Sequence, residues 1–326
     1  MRKKSKLVVG LAFAFLAITQ FSYLVPNIIK ADAENQSTYT ITTDDGYYAK
    51  TTYYLTEQAY QDYLDNINSS INLSAKTAKT SIKNVDAMDE ESEFVFAAVQ
   101  TVCVYERAGD DGNVTESRLL TGKEIEVYET SSNTVRANDA TNNTIGSDNE
   151  SLYYLDISMS VVYNSSSNQY TITGKASWDD VLVWLWDTNK AAEEWDFDYI
   201  GITWGGARTL VANTHSISGK YYNGNAVSFS KQTSDSYAGY VWQFNEKSGY
   251  LGKEMKLATA TVNISKVGTS ENKETNAKMT YIHTYGKIKG DISLTYNSDG
   301  SAAAGVSLSE TSEQWQIEID VPGIVY

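Results

Sequence analysis

Hydrophobic side chains occupy both odd and even positions along the run from Glu93 to Arg107. Side chains of a β-strand alternate between its two faces, so a strand with two apolar faces has to be covered on both sides. The run therefore predicts a central strand of a sheet, with a helix covering one of its faces.

The segment that begins at Thr56 predicts that helix. Its apolar residues recur at the three- and four-residue steps of an α-helix, and Thr56 is suited to cap the first turn. Ser, Thr and Lys dominate after Asn72, which predicts that the helix ends in that region. The apolar stripe consists of Tyr60, Tyr63, Leu64, Ile67 and Ile71.

From Ser151 onward, short strand-like runs alternate with turn residues. Leu152 to Tyr163 and Gln169 to Trp178 predict a hairpin, because a Ser- and Asn-rich turn joins them. Short strands at close spacing are typical of β-sandwiches and barrels. The further runs are Tyr199 to Trp204, Val227 to Lys231, Tyr237 to Asn245, Glu254 to Ser265, Lys278 to Tyr285, Lys287 to Tyr296, Ala303 to Ser309 and Gln314 to Val321.

The predicted fold class is mainly β. We expect an antiparallel β-sandwich or jelly-roll-like C-terminal region over residues 151–326, and a smaller α+β N-terminal region over residues 34–129 that contains one amphipathic helix. Residues 130–150 are almost wholly Ser, Asn, Thr, Asp and Ala, a composition that predicts a linker or long loop between the two.

The first 33 residues predict a signal peptide. Four basic residues before position 7 precede an apolar run, and Ala31-Asp32-Ala33 supplies the small residues of a cleavage site. Cleavage between Ala33 and Glu34 is the expectation, with an uncleaved membrane anchor as the alternative. We therefore expect a secreted bacterial protein with no stable membrane anchor after cleavage.

Composition and charge exclude several classes of protein. The 326 residues include 26 Lys and Arg against 41 Asp and Glu, a formal net charge of -15. An acidic chain lacks the cations that a nucleic acid backbone requires, so no nucleic acid partner is expected. One cysteine, Cys103, excludes a disulfide framework. It lies in the most apolar predicted strand, which favours a packing role over a nucleophilic one.

The densest aromatic and acidic sequence suggests a site for sugars. Trp195 and Asp196 lie close to Asp198 and Trp204 along the chain, and indole rings beside carboxylates are suited to sugar rings and their hydroxyls. We predict these four residues as ligand-binding. Trp184 and Trp186 share one strand face, and the sequence leaves open whether they lie in the core or on the surface.

A glycoside hydrolase is the first alternative function. Its reaction requires two facing carboxylates, and Glu318 shares a strand face with Gln316 and Asp320. A solvated outer face explains these three residues equally well. A serine hydrolase would need His215 or His283 as its base, and no Gly-x-Ser-x-Gly motif accompanies them.

Metal ligands are limited to oxygen atoms by the composition. Asp-rich turns at residues 44–46, 109–113 and 297–300 could hold Ca²⁺, but none matches a specific Ca²⁺ motif. The need for Asp, Asn and Gly in tight turns explains all three. No cofactor is therefore predicted.

The run from Leu257 to Ser265 alternates small polar with apolar residues, as membrane-inserting hairpins do. A membrane-active, pore-forming-like toxin or bacteriocin is therefore a second alternative. A half-buried strand of a soluble sheet has the same alternation. The leading hypothesis remains a non-catalytic extracellular interaction module for glycan or cell-surface material, because no catalytic signature accompanies the export signal.

Overall fold

The computed structural model describes thirteen segments of the chain. The predicted signal peptide lies outside them, as does the predicted linker apart from Glu150. The described residues are 37–74, 92–109, 114–128, 150–178, 197–206, 208–221, 224–245, 247–248, 253–267, 273–285, 291–295, 302–309 and 313–326.

The larger sheet has nine strands, and every pairing in it is antiparallel. Its order is β1-β2-β3-β5-β6-β12-β11, with β4 paired to β3 and β8 paired to β12. The strands are β1 (Thr38–Asp44), β2 (Tyr48–Tyr54), β3 (Ser92–Ala108), β4 (Val114–Leu119), β5 (Glu150–Asn164), β6 (Gln169–Trp178), β8 (Leu210–Tyr221), β11 (Lys247–Ser248) and β12 (Lys253–Lys266).

The smaller sheet has five antiparallel strands in the order β16-β13-β7-β10-β9, and β14 and β15 form a separate hairpin. One core of buried side chains from both sheets lies between them, which is the arrangement of a β-sandwich. The mainly β fold class is thereby confirmed. The strands are β7 (Phe197–Trp204), β9 (Phe229–Asp235), β10 (Gly239–Asn245), β13 (Glu274–Thr284), β14 (Ile292–Thr295), β15 (Gly305–Leu308) and β16 (Gln314–Val325).

Strand β3 is buried on both faces, as its sequence predicts. Ala98, Val102 and Val104 face the core between the sheets. Ala97 and Val99 point the other way and pack beneath a helix. The two apolar faces of this strand therefore hold the sandwich core on one side and the helix on the other.

That helix is α1 (Glu57–Ser74). The Ala59 amide donates to the Thr56 side-chain oxygen over 3.4 Å, which confirms the predicted cap. Tyr60 and Leu64 are buried against Tyr54 and the odd face of β3. The first part of the predicted stripe therefore attaches the helix to the outer face of the larger sheet.

A second short helix, α2, covers residues 122–128 and was not predicted. Its first turn contains a capping box, in which the Thr121 amide donates to the Glu124 carboxylate over 2.9 Å and the Glu124 amide donates back to the Thr121 hydroxyl over 3.4 Å. The spacing Thr-x-x-Glu was the sequence signal that would have revealed it.

The boundary predicted between the two regions crosses the larger sheet. β3, from the N-terminal region, pairs with β5, from the C-terminal region, between Ser92 opposite Asn164 and Arg107 opposite Glu150. The division into a smaller and a larger region stays a prediction. Strands of both regions nonetheless share one continuous sheet.

The β14–β15 hairpin covers part of the outer face of the smaller sheet. Val306 and Leu308 pack on Tyr199, Val241 and Ile282. Gly201, in the middle of β7, permits this close approach, since a Cβ atom placed there would lie 2.8 Å from Val306 Cγ2. The hairpin therefore depends on the missing side chain at position 201.

We expect Gly201→Ala to lower the free energy of unfolding by about 1–3 kcal/mol, because the added methyl group overpacks the contact with Val306. Urea denaturation measures the change. Gly305→Ala in the same hairpin is the control, because the nearest atoms to its new Cβ lie 3.8 Å away. Equal stability of the two variants would contradict the close approach.

Candidate functional site

The structure describes two of the four predicted ligand-binding residues. Trp195 and Asp196 lie outside the described residues, as do Trp184 and Trp186, so their roles stay predictions. Asp198 and Trp204 both lie on β7, six residues apart, which separates them by about 20 Å along a strand. The two residues therefore cannot contact the same sugar ring.

Trp204 and Asp198 are both buried in the structure. Trp204 is 1% exposed and Asp198 is 0% exposed. Both share the core face of β7 with Ile200 and Ile202. This alternation of Asp, Ile, Ile and Trp at every second position was the sequence signal for a core face. Their ligand-binding role remains a prediction without an exposed surface.

Asp198 is part of a buried polar chain between the two sheets. Its carboxylate accepts the Tyr281 hydroxyl and the backbone amide of Thr284. The Nδ1 atom of His283 lies 3.1 Å from Asp198 Oδ1, and its Nε2 atom lies 3.1 Å from Glu106 Oε1. The imidazole ring therefore bridges a carboxylate of the smaller sheet and a carboxylate of the larger one.

Tryptophan and serine side chains extend this chain at both ends. Trp178 Nε1 donates to the Tyr281 hydroxyl over 3.2 Å. Trp315 Nε1 donates to Ser117 Oγ over 2.9 Å, and Ser117 Oγ donates to Glu106 over 3.2 Å. Because His283 is only 2% exposed, a substrate in solution has no access to it. The chain stabilises the packing of the sheets instead of forming an accessible acid–base pair.

The carboxylates behind the hydrolase alternative are held in a second network. Lys278 Nζ lies 2.7 Å from Glu318 Oε2, and Gln316 donates to Glu318 Oε1 over 2.8 Å. Asp320 accepts the side-chain amide of Asn276 over 2.6 Å. Both carboxylates are therefore occupied by neighbouring side chains on the outer face of the smaller sheet.

Burial raises the pKa of Asp320, and the nearby Lys278 ammonium offsets only part of that effect. Burial acts to lower the pKa of Lys278, but the carboxylates of Asp320 and Glu318 outweigh it and the pKa is raised. Asp320 is therefore a carboxylate whose ionisation disfavours folding. The positive charge of Lys278 is compensated by the carboxylates of Glu318 and Asp320.

The remaining candidates from the sequence are the three Asp-rich turns and Cys103. Asp44 accepts the Gly122 amide over 2.8 Å, so this Asp-rich turn supports the start of α2. The turns at 109–113 and 297–300 lie largely or wholly outside the described residues. In the part of the chain that the structure describes, no group of three or more His, Cys, Asp or Glu is placed to hold a metal ion. Cys103 is buried.

A different surface carries a concentration of small polar side chains. On the larger sheet, β6 and β12 put apolar residues into the core and small polar residues on the outer face, and the neighbouring β8 adds three hydroxyl side chains to that face. We call this outer surface the hydroxyl face. It consists of Thr171, Thr173, Lys175, Ser177, Thr214, Ser216, Ser218, Thr259, Thr261, Asn263 and Ser265, all of which are half-buried or exposed.

Strand register arranges the hydroxyl face in three cross-strand rows. Each row has one residue from β6, one from β12 and one from β8, in that order. The rows extend about 10 Å across the strands and about 14 Å along them, which is the size of one or two sugar rings. The rows are Thr171, Asn263 and Thr214; Thr173, Thr261 and Ser216; and Lys175, Thr259 and Ser218.

Hydrogen bonds connect only one of these rows. Thr171 donates to Asn263 Oδ1 and Asn263 donates to Thr214 Oγ1, each over 2.8 Å. The hydroxyls of the other two rows form no hydrogen bond to another side chain that the structure describes. They are therefore available to donate to and accept from an external ligand.

The hydroxyl face was not predicted as a site. The Thr-x-Thr spacing of residues 171–173, repeated at 259–261, was a signal for it. In the structure, β12 pairs with β6 on one side and β8 on the other, so the alternation between Leu257 and Ser265 is that of a half-buried strand. No helix within the described segments is long and apolar enough to span a bilayer.

No protein-family model and no curated protein matches the chain. A number of solved structures show weak likeness to it. One, from work on pH-induced modulation of Streptococcus parasanguinis adhesion by Fap1 fimbriae, has 14% identity and a TM-score of 0.27, covering 52% of this chain and 80% of that one.

A structure described as a pore forming protein has 9% identity and a TM-score of 0.25, covering 70% of this chain and 95% of that one. The KRT10-binding region domain of the pneumococcal serine rich repeat protein PsrP has 14% identity and a TM-score of 0.21, covering 40% and 76%. All three scores are below 0.5, so no functional argument rests on them.

We expect Asp198→Asn to lower the free energy of unfolding by about 3–5 kcal/mol, because it leaves a buried partner uncompensated. His283→Gln removes the other side of the same contact. The double variant should therefore cost less than the sum of the two single variants, by about 0.5–3 kcal/mol in urea denaturation. Strict additivity would contradict a direct coupling between the two side chains.

Asp320→Asn should have the opposite effect and raise the free energy of unfolding at pH 7. The folded protein pays for an ionised Asp320 only above the ordinary carboxyl pKa of about 4. The gain over the unmodified protein should therefore shrink as the pH falls from 7 to 4. Glu318→Gln is the control, because losing the ion pair with Lys278 gives no such gain. A gain that is constant with pH would contradict the raised pKa.

Proposed function

We propose that this chain is a non-catalytic extracellular interaction module that binds glycan or other cell-surface material through the hydroxyl face. The observation that carries the proposal is the array of hydroxyls on β6, β12 and β8, two rows of which form no hydrogen bond to a side chain that the structure describes. Sugars present closely spaced hydroxyl groups that both donate and accept hydrogen bonds. A rigid sheet holds matching side-chain hydroxyls in place without a loss of backbone entropy on binding.

The predicted signal peptide supports an extracellular location for this activity. Trp195 and Asp196 stay candidates for additional contacts with the ligand. Phe197 begins β7, so these two residues precede a strand of the smaller sheet. The hydroxyl face, on the larger sheet, is the primary surface in this proposal.

Catalysis is less well supported by the geometry. Glu318 is held by Lys278 and Gln316, Asp320 by Asn276, and His283 is buried. A hydrolase reaction needs one carboxyl group free to donate a proton and another free to attack or to activate water. These carboxylates would have to exchange their present partners before either step.

A panel of polysaccharides immobilised on biosensor tips tests the proposal. The unmodified protein should bind at least one polymer, and Ser216→Ile should weaken that binding at least about tenfold, equivalent to about 1.4 kcal/mol. The substitution removes a hydroxyl from the middle row and places branched methyl groups over its neighbours. Isoleucine is well tolerated in strands, so the fold is retained.

Ser307→Ile is the matched control. Ser307 is an exposed strand serine on β15, in the hairpin that packs on the smaller sheet. It should bind the polymer as the unmodified protein does. Equal loss of binding in both variants, or no binding to any polymer, would contradict the proposal.

A further inference from the structure

One cation lies within the hydroxyl face. Lys175, on β6, has Ser158 of β5 opposite it on one side and Thr259 of β12 on the other. Thr173 and Ser177 are its same-face neighbours along the strand, because both are two residues away. The nearest same-face neighbours of Lys175 in the sheet register are therefore small hydroxyl side chains.

Lys175 has no anionic partner among the residues that the structure describes. Burial alone lowers the pKa of its ammonium group, and no carboxylate acts on it. Asp156 lies diagonally across from Lys175 in the sheet register, and the Thr101 hydroxyl donates to its carboxylate over 2.6 Å. An unpaired, partly buried cation weakens the folded state.

Lys278 provides a comparison, because its positive charge is compensated by carboxylates of the protein itself. It too lies within a strand of a sheet, and it forms an ion pair of 2.7 Å with Glu318 beside Asp320. The two carboxylates raise the pKa of Lys278, whereas burial lowers the pKa of Lys175. Among the described residues, Lys175 has no such counter-charge.

We infer that Lys175 receives an acidic group of the ligand, so that the hydroxyl face selects an anionic polysaccharide over a neutral one. This inference rests on the proposed function and names the class of its ligand. A carboxylate or sulfate at Lys175 supplies the missing counter-charge and accepts a charge-assisted hydrogen bond. The neighbouring hydroxyls of Thr259 and Ser218 donate to the ring oxygens and hydroxyls beside it.

The charge of the whole chain makes this contact selective. A formal net charge of -15 gives no long-range attraction for a polyanion. Acidic polymers therefore do not adhere to the protein non-specifically. Their binding depends on a local contact that one substitution can remove.

The test compares polymers that differ in charge but share a backbone. Polygalacturonate and its methyl-esterified form make one pair, and dextran sulfate and dextran make the other, so the two pairs distinguish a carboxylate from a sulfate ligand. The unmodified protein should bind the acidic member of at least one pair about tenfold more tightly. Lys175→Met should abolish this preference while weaker binding to the neutral member persists.

Lys231→Met is the matched control. It removes the same charge from β9, an exposed strand of the smaller sheet, and should leave the preference intact. Lys175→Met should also shift the urea midpoint upward, because it removes a partly buried, unpaired charge. That second readout shows that the variant is folded and that Lys175 is not held by a structural ion pair.

The outcomes separate this inference from the proposed function. If Lys175→Met keeps the preference for the acidic polymer, or lowers the urea midpoint, the inference is wrong. The proposed function survives that result if Ser216→Ile still weakens binding to the polymers. If the unmodified protein binds none of these four polymers, the inference is wrong, whereas the proposed function fails only if no polymer of the larger panel binds.

Discussion

The packing of the two sheets around the buried chain of Glu106, His283 and Asp198 is the constraint on which the rest of the structure depends. Three ionisable side chains can be buried together only if each is placed within hydrogen-bonding distance of the next. The imidazole lies 3.1 Å from a carboxylate of each sheet, so the relative position of the sheets is fixed at this point. Apolar contacts fill the core around it, but they are less specific about register.

That constraint decides which surfaces remain for function. The core takes one face of most long strands, and in the described part of the chain α1, α2 and the β14–β15 hairpin cover parts of the outer faces. Trp204 and Asp198 belong to the core, so the residue types best suited to sugars were used for packing. Binding chemistry is left to the small hydroxyl side chains of β6, β12 and β8, whose apolar neighbours anchor them in the sandwich.

Two lysines show how environment separates a structural role from a functional one. Lys278 is paired with Glu318 and stabilises the outer face of the smaller sheet. Lys175 lies among hydroxyls, and burial works against its charge without compensation. A residue that weakens the folded state and has no structural partner in the described part of the chain is one that binding can explain. Residue type alone does not distinguish the two.

The sequence by itself determined much of the local structure, although it did not reveal α2 or β8. The periodicity of neighbouring apolar residues is a local property of the sequence, and three features follow from it. They are the burial of β3 on both faces, the helical stripe capped by Thr56, and the hairpin of β5 and β6. The alternation of Asp198, Ile200, Ile202 and Trp204 also marked a core face, although their chemistry suggested a site. Only the tertiary structure decided that β6, β12 and β8 lie side by side, that Lys175 faces no carboxylate of the described residues and that His283 meets Glu106. Those contacts join residues far apart in the chain, and many pairings of the same strands satisfy the same alternation.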